Sequence, residues 1–387
     1  MNSSITLAIN RLTVLVVLFA VQLAPDVSGG WYDNNWTYRQ KIIVDSVKVL
    51  ADLTDYPIYV NLDNFTSVFW SNVKSDGSDI VITAADGTTK LKRELRHFSV
   101  GSTVGDLHFK SPNLDGDTNS IFYIYYSYAS ASEVSDTNTW NPNYITVWHM
   151  LDSSDGTRYI ESARWNYFGT EKGPGEPVEN AVGKIYEAPD FDGSNDYIVS
   201  SDINEIDGLT AITVEGWGKW EGTLNNMGGA REVIRKDLVF AFGGGWDAAP
   251  QNLAKFWIYS AGWLNSGDGT TDIADGNFHY LAGTYDQTSD QLRIYVDGAR
   301  ENQSNQVNKT LSSNTSLAYL GAHTAAAEFW NGLLDEIRVS SVARDSSWIA
   351  TCYNNLNSPS TFYAIGNQET QGAAHNARRE RLIRIGG

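Results

Sequence analysis

One carboxylate in this chain occupies a position that demands a partner. The apolar residues Ile337 and Val339 alternate with polar neighbours, which predicts a strand with one face in a core. By the same alternation Asp335 lies on the inward side with Ile337, whereas Glu336 points to solvent, where it can pair with Arg338. An inward carboxylate is costly unless a cation or several N–H groups contact it. The pattern therefore predicts at Asp335 a bound cation, a set of backbone donors or an arginine partner.

Two tryptophan-containing loops indicate a second chemistry, the recognition of sugars. Trp246 and Asp247 follow three glycines, and Trp263 and Asn265 lie in another glycine-containing segment. Sugars stack their C–H faces on indole rings, while carboxylates and amides bind their hydroxyl groups. We therefore predict a carbohydrate-binding role for these four residues. The alternative, in which the two tryptophans only cover the ends of a β-sandwich, stays open.

The sequence contains no clear pattern of catalytic residues. Glycoside hydrolysis needs two carboxylates that flank the bond, and the nearest pattern, Glu205 with Asp207, lies in a predicted loop without a second glutamate. The six histidines show no His-x-x-x-His spacing, so zinc is not indicated, and His149 is predicted to be an ordinary packed or edge histidine. No nucleophile elbow or phosphate-binding loop is present. We therefore predict no catalytic residues.

The single cysteine, Cys352, excludes an intrachain disulfide. It lies with Trp348 and Ile349 on the apolar side of a short helical pattern that begins at Asp345 or Ser346. No histidine accompanies it in the sequence, so we predict a buried, inert thiol.

Charge and composition restrict the class of partner. The 387 residues carry a formal net charge of −18, which disfavours nucleic acid and anionic membrane surfaces. Residues 1–29 have the pattern of a signal peptide, with Arg11 before the apolar run 12–24. That run is too short for a confident membrane span, although an uncleaved anchor is the alternative. We expect a secreted or cell-surface protein with no membrane span in the mature chain.

Strand signals divide the mature chain into two β-rich regions, residues 30–144 and 145–368, followed by a polar-to-basic tail, residues 369–387, that we expect to be disordered or to dock on another surface. The predicted fold is all-β, with two β-sandwich domains, the second a jelly roll, and a short helix near the C-terminus. The predicted strands are Tyr38–Val44, Tyr56–Leu62, Asp79–Thr83, Leu91–Phe98, Leu107–Lys110, Ile121–Tyr126, Ile145–Met150, Asp190–Val199, Ala211–Trp217, Glu232–Phe242, Lys255–Tyr259, Phe278–Tyr285, Gln291–Asp297, Leu317–Gly321, Leu333–Ser340 and Tyr363–Gly366.

Three segments of the second region resemble the LamG-like jelly roll of the concanavalin A-like lectin/glucanase superfamily. They are 191–198 (Phe-Asp-Gly-Ser-Asn-Asp-Tyr-Ile), 278–285 with the hairpin that follows it, and 329–341. The first region resembles an uncharacterised family that often precedes such jelly rolls in exported bacterial and archaeal proteins. Its matching segments are 36–43, 56–60, 78–83 and 122–126. The two resemblances imply an exported recognition or scaffold protein.

The jelly-roll resemblance also implies a calcium ion at the edge of the sandwich. Such an ion takes about six to eight oxygen ligands from an early loop and from the aspartate of the closing strand. In this chain that aspartate is Asp335, and the accompanying candidates are Asp152, Asn195 and Asp196.

Three functions follow in order of preference. The first is a secreted or cell-surface protein that binds a polysaccharide or glycan with calcium support. The second is a structural or adhesive component that associates with itself or with other surface proteins and binds no sugar. The third is a glycoside hydrolase. Five acceptor patterns also predict N-glycosylation where the host glycosylates asparagine, at Asn35, Asn64, Asn302, Asn308 and Asn314.

Overall fold

A computed structural model describes residues 30–152, 158–172, 176–222, 231–245, 252–324 and 327–371, without the side chains of residues 151, 152 and 180. The described chain is almost entirely β-structure. Its strands are β1 (Tyr38–Val44), β2 (Leu53–Asn61), β3 (Val81–Thr83), β4 (Arg93–Ser99), β5 (Val104–Leu114), β6 (Ser120–Tyr126), β7 (Tyr144–Asp152), β8 (Arg158–Glu161), β9 (Gly169–Glu171), β10 (Val178–Val182), β11 (Glu187–Asp192), β12 (Ile198–Ser200), β13 (Ala211–Trp220), β14 (Arg231–Lys236), β15 (Phe240–Gly244), β16 (Ala254–Tyr259), β17 (Trp263–Asn265), β18 (Phe278–Asp286), β19 (Gln291–Val296), β20 (Ala299–Asn305), β21 (Ala318–Leu320), β22 (Asn331–Ser340), β23 (Tyr363–Ile365) and β24 (Glu369–Thr370). The α-helices are α1 (Ser67–Trp70), α2 (Ser346–Asn357) and α3 (Pro359–Phe362). None of these helices is long and apolar enough to cross a membrane.

The first unit is a sandwich of two sheets. One sheet has the order β23-β1-β6-β3, with β24 also on β1, and the other has the order β2-β5-β4. The inward residues of both sheets, such as Ile42, Ile58, Phe109 and Ile124, are fully buried in one apolar core. The alternation of these residues with more exposed neighbours explains why this region forms antiparallel strands.

The C-terminal segment returns to the first unit. β23 pairs with β1, with Val44 opposite Tyr363, and β24 places Glu369 opposite Arg39. The Arg39 guanidinium lies 2.7 Å from the Glu369 carboxylate. The sequence-based boundary at residue 368 therefore does not follow the sheets, because strands from both ends of the chain share one sheet. Residues 372–387 of the predicted tail lie outside the described residues.

The second unit is a jelly roll with two layers. The layer next to the first unit, here the proximal layer, contains β7, β11, β13, β18, β19, β20 and β22; the distal layer contains β9, β12, β14, β15, β16, β17 and β21. An apolar core fills the space between the layers. The approach is close: a Cβ added at Gly283 of β18 would lie 2.3 Å from the Phe256 ring of β16. Position 283 therefore needs glycine.

Two predicted strands are each broken by a turn. The segment 190–199 forms β11 and β12, and 232–242 forms the hairpin β14–β15. Gly193, at φ +71°, and Leu238, at φ +56°, occupy the left-handed region in the two turns. The interval 153–187, where the sequence predicts no strand, contains the short strands β8, β9 and β10. Strands of three to five residues are too short to show a clear hydrophobic periodicity.

A bulge in β22 corrects the predicted orientation of Asp335 and Glu336. The register between β13 and β22 shifts at this point, and Glu336 adopts φ +52°. Leu334 and Ile337 therefore both enter the jelly-roll core, whereas Asp335 pairs with Trp217 on the side of the first unit. Asp335 does not share the face of Ile337, and Glu336 is only 1% exposed rather than solvated.

The first unit covers the outer face of the proximal layer. Val147, Trp217 and Tyr280 of the second unit belong to the same apolar cluster as Tyr56 of β2. Helix α2 lies between the units, and the Asp345 side chain caps it by accepting a hydrogen bond from Trp348 N at 2.8 Å. The units therefore form one packed body rather than two domains on a flexible linker.

We predict that Asn355→Ala lowers the free energy of unfolding by about 2–4 kcal/mol. The buried Asn355 amide accepts from Tyr59 N at 2.8 Å and donates to Tyr59 O at 2.9 Å, which satisfies the edge of β2. Its removal leaves both backbone groups buried without partners. Denaturant unfolding measures the change, and Asn354→Ala is the matched control, since Asn354 makes one half-buried bond to Lys48 O. Equal losses in both variants would contradict the prediction.

The predicted burial of Cys352 is confirmed, since the residue is 1% exposed, and desolvation raises the pKa of its thiol to about 12. At pH 8 about one thiol in ten thousand is then ionised. We expect no reaction of the native protein with a thiol reagent and one reacting thiol per chain after denaturation. Thr288→Cys, in an exposed turn, should react at once and serves as the positive control. Rapid labelling of the native wild type would show that this side of α2 opens to solvent.

Candidate functional site

The outer face of the distal layer, here the distal face, brings aromatic and polar side chains into rows. Cross-strand pairing places Tyr319, Arg235, Ala241, Trp257 and Asn265 side by side across five strands. Side chains that lie opposite one another in antiparallel strands project from the same face. This face looks away from the first unit, but Arg235, Ala241 and Trp257 are at most 4% exposed, so the side chains accessible to a ligand lie toward its edge, at Asn265.

Trp263 lies at the edge of the distal face, on the terminal strand β17. It is half-buried, and its ring meets that of Tyr259 edge-on at 5.3 Å between centroids. The Arg235 guanidinium lies 4.7 Å from the Trp263 ring, which is within cation–π range. Arg235 donates in turn to Glu232 at 2.9 Å and to Asp237 at 2.7 Å. Burial raises the pKa of Glu232 to about 7, even though the Arg235 charge opposes this shift.

Two of the four predicted sugar-binding residues lie together on the distal face. Trp263 and Asn265 are two positions apart on the edge strand β17, and Asn265 is exposed with its side-chain oxygen accepting from Gly267 N at 3.0 Å. Trp246 and Asp247 lie outside the described residues. The sequence analysis did not single out Arg235. Its adjacency to Trp263 depends on pairing between strands that are distant in sequence.

Of the predicted calcium ligands, Asn195 and Asp196 lie apart from Asp335. Asp335 is fully buried, and its Oδ2 accepts a hydrogen bond from Ile185 N at 2.8 Å. Asp196 binds Asp192 N at 2.9 Å in the turn after β11. Asp192 pairs with Asn331, four residues before Asp335, so the turn that holds Asn195 and Asp196 is displaced from Asp335 by about 13 Å along the strand.

Asp335 nevertheless keeps one unusual property. Its Oδ1 has no hydrogen-bond partner among the described residues, and burial together with the Glu336 charge raises its pKa well above the ordinary value. The backbone donor that the sequence allowed as an alternative is present. The side chain of Asp152 is not described. Calcium at this position stays a prediction.

The two carboxylates considered for hydrolysis make other contacts. Glu205 lies in a 3₁₀ turn and hydrogen-bonds to the Tyr167 hydroxyl. Asp207 accepts from the buried Lys236 ammonium at 2.7 Å. Both groups therefore have structural partners.

The predicted glycosylation sites differ in the hydrogen bonds of their side chains. Asn35, Asn64, Asn302 and Asn308 are exposed and Asn314 is half-buried. The side-chain nitrogens of Asn64, Asn302 and Asn314 donate to the Tyr363 hydroxyl, Asp268 O and Asp237 O respectively. A glycan is attached through this nitrogen, so the engaged asparagines must release their bonds before modification. Occupancy at all five sites stays a prediction.

A buried polar cluster lies where the first unit meets the proximal layer, here the interdomain cluster: Glu94, His108, His149, Glu336 and Arg338. His149 Nδ1 is 2.5 Å from Glu336 Oε1, and His149 Nε2 is 3.5 Å from Glu94 Oε2. Arg338 donates to the second Glu336 oxygen at 2.5 Å. All five side chains are at most 7% exposed, so their charges are compensated mainly by one another.

The charges in the interdomain cluster follow from these contacts. Burial alone would lower the pKa of His149, but Glu336 and Glu94 raise it to about 9. Hydrogen bonds and the charges of His149 and Arg96 lower the pKa of Glu94 to about 2 despite burial. Burial and the charge of His149 lower the pKa of His108 to about 3. Apart from any bound ion, His149 is thus a cation between two carboxylates, whereas His108 is neutral.

Sequence reasoning missed this cluster. His108 and His149 come from β5 and β7 of different units, so no short spacing connects them. The one signal in the sequence was the mixture of charged and apolar residues in β22, which suggests that some charged side chains are buried. The bulge at Glu336 breaks the regular alternation, so the sequence did not show which face these charged side chains occupy.

No curated protein sequence matches the chain. One similar solved structure is domain 4 of AbnA, an extracellular arabinanase of family GH43 from Geobacillus stearothermophilus in complex with arabinotriose. It has 18% identity over 54% of this chain and 97% of that chain, with a TM-score of 0.37. The binding domain of Paraclostridial Mosquitocidal Protein 1 has 12% identity over 55% and 52% of the two chains, with a TM-score of 0.44.

The binding domain of botulinum neurotoxin DC in complex with SialylT has 11% identity over 56% of this chain and 52% of that chain, with a TM-score of 0.42.

The resemblance of the first unit to an uncharacterised exported family stays a prediction, because the matching family model begins at residue 192. Residues 192–350 match a laminin G family model described as "Concanavalin A-like lectin/glucanases superfamily", and the second unit is accordingly a concanavalin A-like domain.

Proposed function

We propose that the protein is an exported carbohydrate-binding protein that holds a polysaccharide or glycan on its distal face. The observation that carries this proposal is the position of the half-buried Trp263 beside the exposed Asn265, on a face directed away from the first unit. The family model that matches residues 192–350 is described by lectins and glucanases, which is consistent with it. The apolar run 12–24 after Arg11 supports export.

The distal face provides the two kinds of contact that sugar binding needs. Trp263 offers a flat apolar surface for the C–H face of a pyranose or furanose ring. Asn265 lies about 7 Å along the same strand, which is within reach of the hydroxyl groups of a ring stacked on the indole. The Arg235 guanidinium lies 4.7 Å from the Trp263 ring and donates to Asp237 at 2.7 Å, which brings a carboxylate into the same neighbourhood. A planar platform with polar groups at its edge is therefore available to a saccharide.

The composition of the terminal strand β20 argues against the alternative function, a structural assembly formed by strand pairing. This strand ends the long sheet of the second unit, and the seven residues from Ala299 to Asn305 are all polar or charged except Ala299. Charged and polar edge strands oppose pairing with another chain. We therefore place sugar binding ahead of assembly through this edge, and hydrolysis after both.

We expect Trp263→Ala to weaken glycan binding by about 30-fold, because removal of a central aromatic contact costs about 2 kcal/mol. A glycan array identifies the sugar, and isothermal titration of that sugar measures the loss. Trp31→Ala, which removes a half-buried indole from the first unit, is the matched control and should bind as the wild type does. Unchanged affinity in Trp263→Ala would place the binding site elsewhere. Failure of the wild type to bind any glycan, together with self-association, would favour the assembly alternative.

We further propose that calcium supports this domain through Asp335, whose Oδ1 is the oxygen available to it. Calcium added to metal-free protein should raise the melting temperature of the wild type and have no effect on Asp335→Asn. Because burial raises the pKa of Asp335, the neutral, near-isosteric asparagine should fold normally. Asp196→Asn is the matched variant for the turn after β11. If calcium raises its melting temperature as it does that of the wild type, this turn does not contribute to the site. A wild type that is insensitive to calcium would exclude the ion.

A further inference from the structure

Two histidines from different units face each other inside the protein. The rings of His108 on β5 and His149 on β7 lie 4.9 Å apart between centroids, and both residues are at most 3% exposed. One ligand atom each from His108, His149 and Glu336 lie within 4.8 Å of one another. Two imidazoles and a carboxylate thus converge on one point of the interface.

Within the described part of the chain, His108 is a buried polar side chain without a hydrogen-bond partner. Neither ring nitrogen finds a hydrogen bond among the described residues, although the ring is enclosed by Tyr59 and Trp140 at 5.1 Å between centroids. A buried polar atom without a partner costs about 1–3 kcal/mol, so a phenylalanine would suit this apolar enclosure better. The presence of an imidazole here indicates that one of its nitrogens binds something other than protein.

The surroundings can accommodate a cation. Glu94 and Glu336 both direct carboxylate oxygens at His149, and Glu215 lies 3.9 Å from Arg338 on the same face. These three buried carboxylates face the positive charges of Arg338, Arg96 and His149. A divalent cation that displaces one proton from His149 would change this balance by one charge and would take up the lone pairs of His108 and His149.

We propose that His108, His149 and Glu336 bind one zinc ion, or a similar divalent transition metal, that ties the first unit to the jelly roll. Two nitrogens and a carboxylate oxygen form a ligand set typical of zinc, whereas calcium takes oxygen ligands. Tetrahedral zinc holds ligand atoms about 3.3–3.5 Å apart, so side-chain shifts of about 1 Å complete the geometry. Metal binding displaces one proton of the His149 imidazolium, and that proton leaves to solvent.

The neighbouring groups then have defined roles. Glu94 Oε2, already 3.5 Å from His149 Nε2, provides the fourth ligand or hydrogen-bonds to a water that does so. The Ser162 hydroxyl and the Trp140 indole donate to Glu94 at 2.7 Å each and orient it. Arg338 holds the far oxygen of Glu336. With every ligand buried, the ion stabilises the interface and does not act on a substrate.

The test uses the full-length mature protein without an affinity tag. The protein is unfolded with chelator, refolded with or without zinc alone, and analysed for bound metal and melting temperature. We expect one zinc ion per chain and a melting temperature higher by about 5 °C with zinc. His108→Phe should retain only background zinc and show no zinc-dependent shift, whereas the control His279→Asn, which alters the pair with Asp297 at the far side of β18, should bind zinc as the wild type does.

The outcomes separate cleanly. A wild type that refolds equally well without zinc and retains no more metal than His108→Phe would overturn the proposal. If His108→Phe does not fold, cobalt replaces zinc in the wild type, and a tetrahedral visible spectrum with nitrogen ligands supports the site whereas an octahedral one contradicts it. None of these measurements involves sugar binding, so the result is independent of the function proposed for the distal face.

Discussion

The architecture depends on one constraint, the removal of water from a charged face of the proximal layer. Glu215, Glu336, Arg338 and His149 lie on the outer side of their strands, where an isolated jelly roll would leave them in solvent. The first unit covers them, so every charge must find a partner inside the interface. Glu94 of the first unit is one such partner for His149. Charge matching therefore determines how the two units sit together, while apolar packing around it provides most of the favourable free energy.

The bulge in β22 makes this arrangement possible. Without an extra residue, Asp335 and Ile337 would share a face, and one of them would be misplaced. The left-handed backbone at Glu336 rotates both acidic residues toward the interface and returns Ile337 to the core. Gly216 on β13 accommodates the distortion, since a Cβ there would lie 2.4 Å from the Ile337 side chain. A local irregularity thus supplies two carboxylates to the same interface.

The sequence predicted those parts of the fold that depend on local periodicity. Alternating segments such as Tyr38–Val44 and Gln291–Val296 were assigned almost to the residue, because half-buried strands show a period of two. Periodicity cannot register a bulge or a turn within a long apolar run, which is why 232–242 was taken as one strand. Nor can it indicate that β23 joins β1, since that pairing spans the length of the chain.

The same limit applies to the candidate sites. Trp263 and Asn265 could be proposed from composition because both lie on one short segment. The neighbour that shapes their surroundings, Arg235, and the pair His108 and His149 become adjacent only through pairing and docking of distant strands. A sequence can reveal a site whose residues lie on one strand. It does not reveal a site whose residues come together only when distant strands pair or when two units dock.

The two layers of the jelly roll therefore perform separate physical tasks. The outer face of the proximal layer packs against the first unit. Near the C-terminus, β23 pairs with β1 and adds a second connection between the units. The first unit cannot be detached without exposing Trp217 and Tyr280 and stripping partners from the buried charges. The distal face takes no part in that contact, so substitutions there leave the interface undisturbed. The apolar core between the layers separates the residues of the interface from those of the distal face, and the two units therefore keep one fixed arrangement whatever side chains the distal face carries.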